Sequence, residues 1–504
     1  MTSLHELTEP IYHGTLQSLQ KHPQKPLESL QGNILQGHGR DRSVHIFLQF
    51  KIGQENKVKD WIRNLAEGIT SAQQQLEESE RYRWDKTPGC TFMSFFLSAK
   101  GYEYLYPEEK GRLPFDDGAF LCGMKAAQHR LNDPPQEDWE KAYQHEIHAM
   151  VLLADDDTPH LRQRLRRRAD ELRTAVEKFA ESCLVEFGKV MWNRQNYPQE
   201  YPVEHFGFVD GRSQPLFFQR DIERESVERD GTDVWDPGAG PDLVLVPDPY
   251  GQEKDGAGNV VYQHSGSYLV FRKLEQYVRA FKEHEWQLAQ ALGLPEADVK
   301  RAGALVMGRF EDGTPIVLKS TPGRSSPVPN NFTYETDPYG RKCPLQAHIR
   351  KVNPRQEGVP RIVRRGITYG EREKEPQDNP SLEELPVQGV GLLFMCYQRD
   401  IAQQFEILQY LYANDPRGPG KQEAGTDPII GHPGSNGVGQ LKWPARWNDP
   451  REQHKRFDFH SFVTLKGGEY FFAPSIYFLR HLQSPLSDQA SRDYRTEKKA
   501  DGVD

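Results

Sequence analysis

The sequence predicts an α+β protein made of two ferredoxin-like halves packed into one globule. Three observations carry that expectation. Up to residue 192, apolar β-rich runs and stretches of helical periodicity follow one another as strand, helix, strand, strand, helix, strand, the split βαβ pattern. After a zone dense in Pro, Gly and Asp, a strand-then-helix pattern returns twice in the second half. The composition, 36% hydrophobic and 27% charged, is that of a folded globular chain.

Residues 1–30 are polar and Pro-containing and read as an N-terminal arm. "HIFLQFKI" (45–52) is the first strand, and "NKVKDWIRNLAEGITSAQQQLEESE" (56–80) opens with apolar residues at helical spacing. "CTFMSFFLSAKGYEYL" (90–105), "EIHAMVLLADD" (146–156) and "CLVEFGKVMW" (183–192) read as further strands. Between the last two, "TPHLRQRLRRRADELRTAVEKFAE" (158–181) is rich in Leu, Ala and charged residues and reads as a helix. This N-terminal half covers 31–217, and 218–264 is expected to be a connecting loop zone punctuated by "EKDGAGN" (253–259). The C-terminal half, 265–484, repeats strand then helix in "SGSYLVFRKLEQYVRAFKEHEWQLAQAL" (265–292) and "VGLLFMCYQRDIAQQFEILQYLY" (390–412). "DFHSFVTLKGGEYFFAPSIYFL" (458–479) adds a strand and its turn, and 485–504 is a polar tail. The halves share a pattern without a residue-level repeat.

Charge and cysteine usage narrow the function classes. A formal net charge of -9 and a pI near 6.1 leave no electrostatic footprint for nucleic acid. The five cysteines are odd in number, widely spaced and never form CxxC, which argues against a disulfide framework or a thiolate zinc site and fits a reducing compartment. "MTSLHELTEPIYHG" lacks the basic start and apolar run of a secretory signal, and no stretch approaches 18 apolar residues. A cytoplasmic protein without a membrane partner is therefore expected.

Two stretches stand out chemically. "FGFVDGRSQP" (206–215) sets Asp210 between Gly207 and Gly211, directly before Arg212. Asp-Gly pairs shape tight turns, so Asp210 has a structural reading beside a chemical one, the movement of a proton. The second stretch, "CPLQAHIRKVNPR" (343–355) followed by "RIVRRGITYG" (361–370), carries His348 among Arg350, Lys351, Arg355, Arg361, Arg364 and Arg365. One histidine of 17 is more often a packed residue than a ligand. Six cations so close together in an acidic chain are either a solvated, ion-paired loop or a pocket for a large ligand with carboxylates or phosphates.

"GFVDG" matches the GxxDG motif of the dye-decolourising peroxidases, and "CPLQAHIRKVNPR" with "IVRRGITYG" resemble that family's proximal-histidine and distal-arginine segments, in the same order. "VGLLFMCYQ" (390–398), "DPIIG" (427–431) and "FVTLKGGEYFFAPS" (462–475) resemble its later segments, so the likeness runs from about residue 28 to 480. Its length is most similar to the long bacterial and fungal group. The resemblance implies a dimeric α+β barrel-like globule with haem b in the C-terminal half. It further implies a peroxidase that reduces hydrogen peroxide and oxidises bulky aromatic donors such as anthraquinone-type dyes and phenols.

Carried onto this chain, the resemblance makes His348 the iron ligand. Asp210 becomes the residue that shuttles a proton between the peroxide oxygens, and Arg364 the charge that stabilises the leaving oxygen; Arg365 is less well supported. A free Asp titrates near pH 3.9, which sets an acidic optimum as the expectation. Leu392 and Phe394, two apart on a strand, share one face and either line the distal side of the haem or simply pack in the core. Arg350, Asn353 and Arg355 are expected near haem carboxylates or the access channel, with Arg350 foremost. Asp427, with Glu406 as rival, is the expected carboxylate partner of His348. Tyr369 is a relay candidate for electrons from bulky donors. The same motifs leave room for a homo-oligomer. They also admit two rivals: a haem-binding or haem-transfer protein with incidental peroxidase activity, and a haem-free module holding an acidic ligand.

Overall fold

The computed structural model describes residues 3–193, 201–323, 327–417, 424–432, 441–451, 454–459 and 462–482; the expected tail at 485–504 lies outside them. In the N-terminal half the elements are β1 (Arg42–Phe50), α1 (Glu55–Ala66), α2 (Ala72–Asp85), β2 (Phe92–Leu97), β3 (Ala149–Asp155), α3 (Pro159–Val176) and β4 (Ala180–Lys189). Each helix buries one stripe. On α3 the buried residues are Leu161, Leu165, Ala169, Leu172 and Val176, the spacing of a single helical face, and Thr158 caps its start by accepting from the Leu161 N–H.

The second half begins with β5 (Val246–Lys254) and β6 (Val260–Gln276), followed by α4 (Val278–Leu292), α5 (Val299–Met307) and the short α6 (His348–Val352). It continues with β7 (Val363–Arg364), β8 (Ile367–Tyr369) and β9 (Gly391–Gln398). Two π-helical stretches, Ile401–Glu406 and Leu408–Asn414, precede β10 (Val463–Ala473). The sheet runs β8-β9-β6-β10-β2-β3-β1-β4 with β5 and β7 attached to β6 and β9, and every strand pair in it is antiparallel. Counting the strands of each ferredoxin-like unit separately, both halves read second, third, first, fourth. The repeat of pattern in the sequence is thus a repeat of topology.

The halves meet at two seams. At one, β10 pairs with β2 through Phe472 and Leu97. The Gln31 side chain reinforces it, donating to Phe95 O at 2.8 Å and Pro474 O at 2.9 Å while accepting from the Phe95 N–H. At the other seam the Thr368 hydroxyl of β8 donates to Lys189 O of β4, so the ends of the sheet come together as a barrel. The main core fills this barrel with residues from both halves, and a second core of Phe206, Phe208, Phe281, Trp443 and Phe459 lies under α4 and α5.

Several local expectations are corrected. Residues 56–80 form two helices rather than one, because Gly68 interrupts the run and Ser71 caps the second by accepting from the Gln74 N–H. The strand expected over 90–105 ends at Leu97, where Ser98 caps a helix at Ala99–Leu105. The arm is not free of the core: Leu4, Ile11, Leu19, Leu27 and Leu30 are buried. The zone at 218–264 holds a helix at Gln219–Arg224 and the β5–β6 hairpin, whose turn is closed by Asp255 accepting from the Ala257 and Asn259 N–H groups. Among the described residues, no helix is long and apolar enough to cross a membrane.

Candidate active site

The loop that carries Asp210 is fixed from both ends. Upstream, the half-buried Glu204 carboxylate accepts from the Phe206 and Phe208 N–H groups, each at 2.9 Å, and from Gln276 Nε2 at 2.5 Å. Gly207 and Gly211 have φ of +101° and +77°, a region open to glycine but strained for other residues. The Asp210 N–H donates to Pro202 O at 2.8 Å, and its Oδ1 accepts from the Gly211 N–H at 2.6 Å. Downstream, Arg212 makes two bonds to Glu225, at 2.9 and 2.5 Å, and Ser213 accepts from Arg355 Nη2 at 2.5 Å. The turn reading of Asp210 is therefore correct as geometry and does not exclude the chemical one.

Arg364, on β7, faces this loop. Its N–H donates to Gln214 Oε1 at 3.1 Å, Nη2 donates to Arg212 O at 2.8 Å, and Nη1 stands 3.5 Å from Asp210 Oδ1. Both charged groups keep about a third of their side-chain surface exposed, so the pair is loosely held rather than locked.

His348 opens α6. The turn before it is organised by Asp337, whose carboxylate accepts from the Arg341, Lys342 and Cys343 N–H groups. His348 Nδ1 lies 2.9 Å from Asp427 Oδ2. Asp427 is fully buried, and its Oδ1 accepts from the Ile429 and Ile430 N–H groups at 2.8 and 3.0 Å. A carboxylate so placed can only accept, so Nδ1 carries the hydrogen and Nε2 is left with its lone pair. Glu406, the rival, instead meets Tyr470 at 3.0 Å and Arg130 at 2.9 Å.

Asp210, Arg364 and His348 line one cavity of about 260 Å³. One wall is the sheet: Leu392 and Phe394 of β9 stand opposite Leu274 and Arg272 of β6 in register, and all four line the cavity. Phe405, Leu408 and Gln409 of the π-helical segment line it as well, as does a second histidine, His432, whose pKa burial lowers. Only His348 of the two has a buried carboxylate on its Nδ1 among the described residues. A neighbouring cavity of about 550 Å³ shares Asp210–Pro215 with the first and has Arg365 on its wall.

The expected anionic-ligand contacts are only partly where the sequence suggested. Asn353 and Arg361 line the cavity, but Arg350 and Arg355 do not. Arg350 is consumed by Asp337 Oδ2 at 3.0 Å, Asp337 O at 2.7 Å and Cys343 O at 2.5 Å. Arg355, with φ of +54°, donates to Phe332 O at 2.9 Å and to Asn330 and Ser213, and so braces the Asp210 loop. Arg365 donates to Asn33 O and Ile34 O, away from Asp210. Tyr369 is 8% exposed, with Lys273 Nζ over its ring at 5.0 Å, so it is not a surface terminus for electrons.

Sequence reasoning missed Arg309. It lines the cavity, is 4% exposed, and its Nη2 has no hydrogen-bond partner. Burial first, and then the neighbouring Arg355 charge, lower its pKa to about 9. The signal was present in "ALVMGRF" (304–310), where a cation directly follows an apolar helix. An apolar sheet wall, a carboxylate-backed imidazole and a buried cation short of a partner together suit a flat, mostly apolar ligand that bears a metal and carboxylates.

Comparison with known proteins agrees with this geometry. Residues 29–182 match the model of the DyP dimeric alpha+beta barrel domain, and residues 297–423 match that of the C-terminal domain of Dyp-type peroxidases. The multifunctional dye peroxidase DyP2 of Amycolatopsis sp. is 40% identical over 90% of this chain and 96% of its own. A DyP-type peroxidase structure from Anabaena sp. superposes with a TM-score of 0.80 at 42% identity, over 91% of this chain and 94% of its own. A dye-decolorizing peroxidase in complex with 2,6-dimethoxyphenol gives 0.70 at 26% identity, over 90% and 99%.

Proposed function

The chain belongs to the dye-decolourising peroxidase family, and from that premise we propose that His348 holds haem b while Asp210 and Arg364 activate the peroxide. The enzyme is a haem-dependent peroxidase that oxidises aromatic donors with hydrogen peroxide. The observation that carries the residue assignment is the shared cavity. It joins an imidazole braced by Asp427 at 2.9 Å to a carboxylate–guanidinium pair at 3.5 Å.

When bound, haem supplies the redox-active iron, the place where one peroxide oxygen is retained, and the two electrons that its retention requires. His348 offers Nε2 to it, and the Nδ1–H donated to Asp427 raises the electron density of the ring. The two N–H groups on the other Asp427 oxygen hold that carboxylate in place. Asp210 is placed to take a proton from the retained oxygen of hydrogen peroxide and return it to the other, which leaves as water. Arg364 stabilises the negative charge that develops on the departing oxygen; the Nη2 bond to Arg212 O orients its guanidinium, and the backbone N–H bond to Gln214 fixes the strand that carries it. Leu392 and Phe394 narrow the cavity to small oxidants, so bulky donors are oxidised from outside it. A haem carrier would need His348 without the opposed pair, and that pair favours turnover. Because the proton carrier is a carboxylate, an acidic optimum follows in this reading. The five free cysteines support residence in a reducing compartment, the cytoplasm.

Replacing His348 by Ala is expected to remove most haem from the purified protein, read from the Soret absorbance relative to protein. Normal haem content in that variant would overturn the ligand assignment.

A further inference from the structure

We propose that Arg309 pairs with a carboxylate of the bound haem, an assignment that rests on the haem reading above. The argument is one of uncompensated charge. Nη1 of Arg309 donates to Gly313 O at 2.8 Å and Pro329 O at 2.6 Å, which fixes the guanidinium, while Nη2 has no partner. Among the described residues no carboxylate forms an ion pair with it. Arg272 is neutralised by Asp133 at 2.8 and 2.5 Å, Arg212 by Glu225 and Arg350 by Asp337, while Arg355, which also has no ion-paired acid, does not line the cavity. The cations Arg355 and Arg212 lie close enough to raise the cost further, and the Asp230 carboxylate, which forms no ion pair with Arg309, and the Phe332 ring at 5.2 Å compensate only partly.

A buried cation without a counter-charge is costly, and a fold keeps one where a ligand completes it. Peroxide and phenols are neutral and cannot supply the missing charge. A carboxylate can, and the planar fork of arginine matches it. Arg361 also lines the cavity, but it is half-buried, so solvent screens its charge and its need for a counter-ion is smaller. The carboxylate therefore belongs to Arg309 first.

The test is a titration of the full-length apoprotein with haem and with haem dimethyl ester, in which both carboxylates are neutral, followed by Soret absorbance. Wild type is expected to prefer haem over the diester by about tenfold or more, and R309M to lose about tenfold of that preference, with partial rescue in R309K. A loss of folding quality in R309M would weaken both ligands alike and leave the ratio unmoved, so the ratio isolates the charge pair. An R309M ratio equal to that of wild type, or a ratio lost in R361M instead, would overturn the assignment while wild type still binds haem. Wild type that takes up neither ligand would overturn the haem reading and this assignment with it.

Discussion

Asp210 does two things that are usually treated as alternatives. Its N–H and Oδ1 close a turn through Pro202 and Gly211, while the same carboxylate faces Arg364 at 3.5 Å. Asp210→Asn keeps the turn's acceptor but cannot carry the proton. Stopped-flow mixing with peroxide is expected to show the first absorbance change slowed by about 100-fold, since general acid–base groups contribute about 10² to 10⁴. Arg364→Leu should also retain haem and slow the same step. If both variants react at the wild-type rate, the pair has no part in peroxide activation. At this scale the pairing of His348 with Asp427 was legible only through the family resemblance, since neither residue type nor neighbours single out one histidine among 17. The partners of the arginines were not legible. A guanidinium's partner depends on which acceptors the fold brings near, so Arg350 turns to the Asp337 carboxylate and Arg355 to amide oxygens of Asn330 and Phe332, whereas Arg309 Nη2 is left without a partner.

Among the elements, the strands were legible as apolar, β-rich runs, because β1, β6 and β9 are buried on both faces over most of their length. Boundaries were obscured wherever a cap or hairpin turn uses the residues that also mark loops: Ser71, Ser98 and Asp255 each end one element and begin another. The seam between β4 and β8 could not be read at all, since it joins residues far apart in the chain and depends on a missing side chain. A Cβ at Gly188 would collide with Ser43 Oγ and Ile367 Cγ2. Gly188→Ala is expected to destabilise the fold by about 1 to 3 kcal/mol, measured by urea unfolding. Unchanged stability would show that the barrel closes more loosely at this seam than its geometry implies.

For the whole molecule, acid acts on stability through buried ionisable groups. Burial lowers the pKa of His38, His45 and His205 from 6.5 to about 3, so between those values the unfolded chain binds more protons than the folded one. Stability conferred by their neutral state is complete above about pH 6.5 and is lost as pH falls, by about 1.4 kcal/mol per pH unit for each histidine. Asp248 works the other way. Burial raises its pKa from 3.8 to about 6, so the folded state takes its proton first and gains on acidification over that interval. Burial also raises the pKa of Asp117, Asp156, Glu186, Glu204, Glu285, Glu406 and Glu469, so the histidine contribution is read by difference: in denaturant unfolding the stability of the wild type relative to His45→Phe is expected to fall from about pH 6 to about pH 4. A flat or rising difference would contradict the buried, neutral His45. The arm carries a different consequence. Ser3 donates to Gln263 O, His5 meets Ser265, both 260 residues further along, and Gln31 reaches Pro474 across 443. During synthesis Ser3 and His5 can therefore find their places only after residues 263–265 have been made, and Gln31 can buckle its seam of the barrel only once Pro474 has followed.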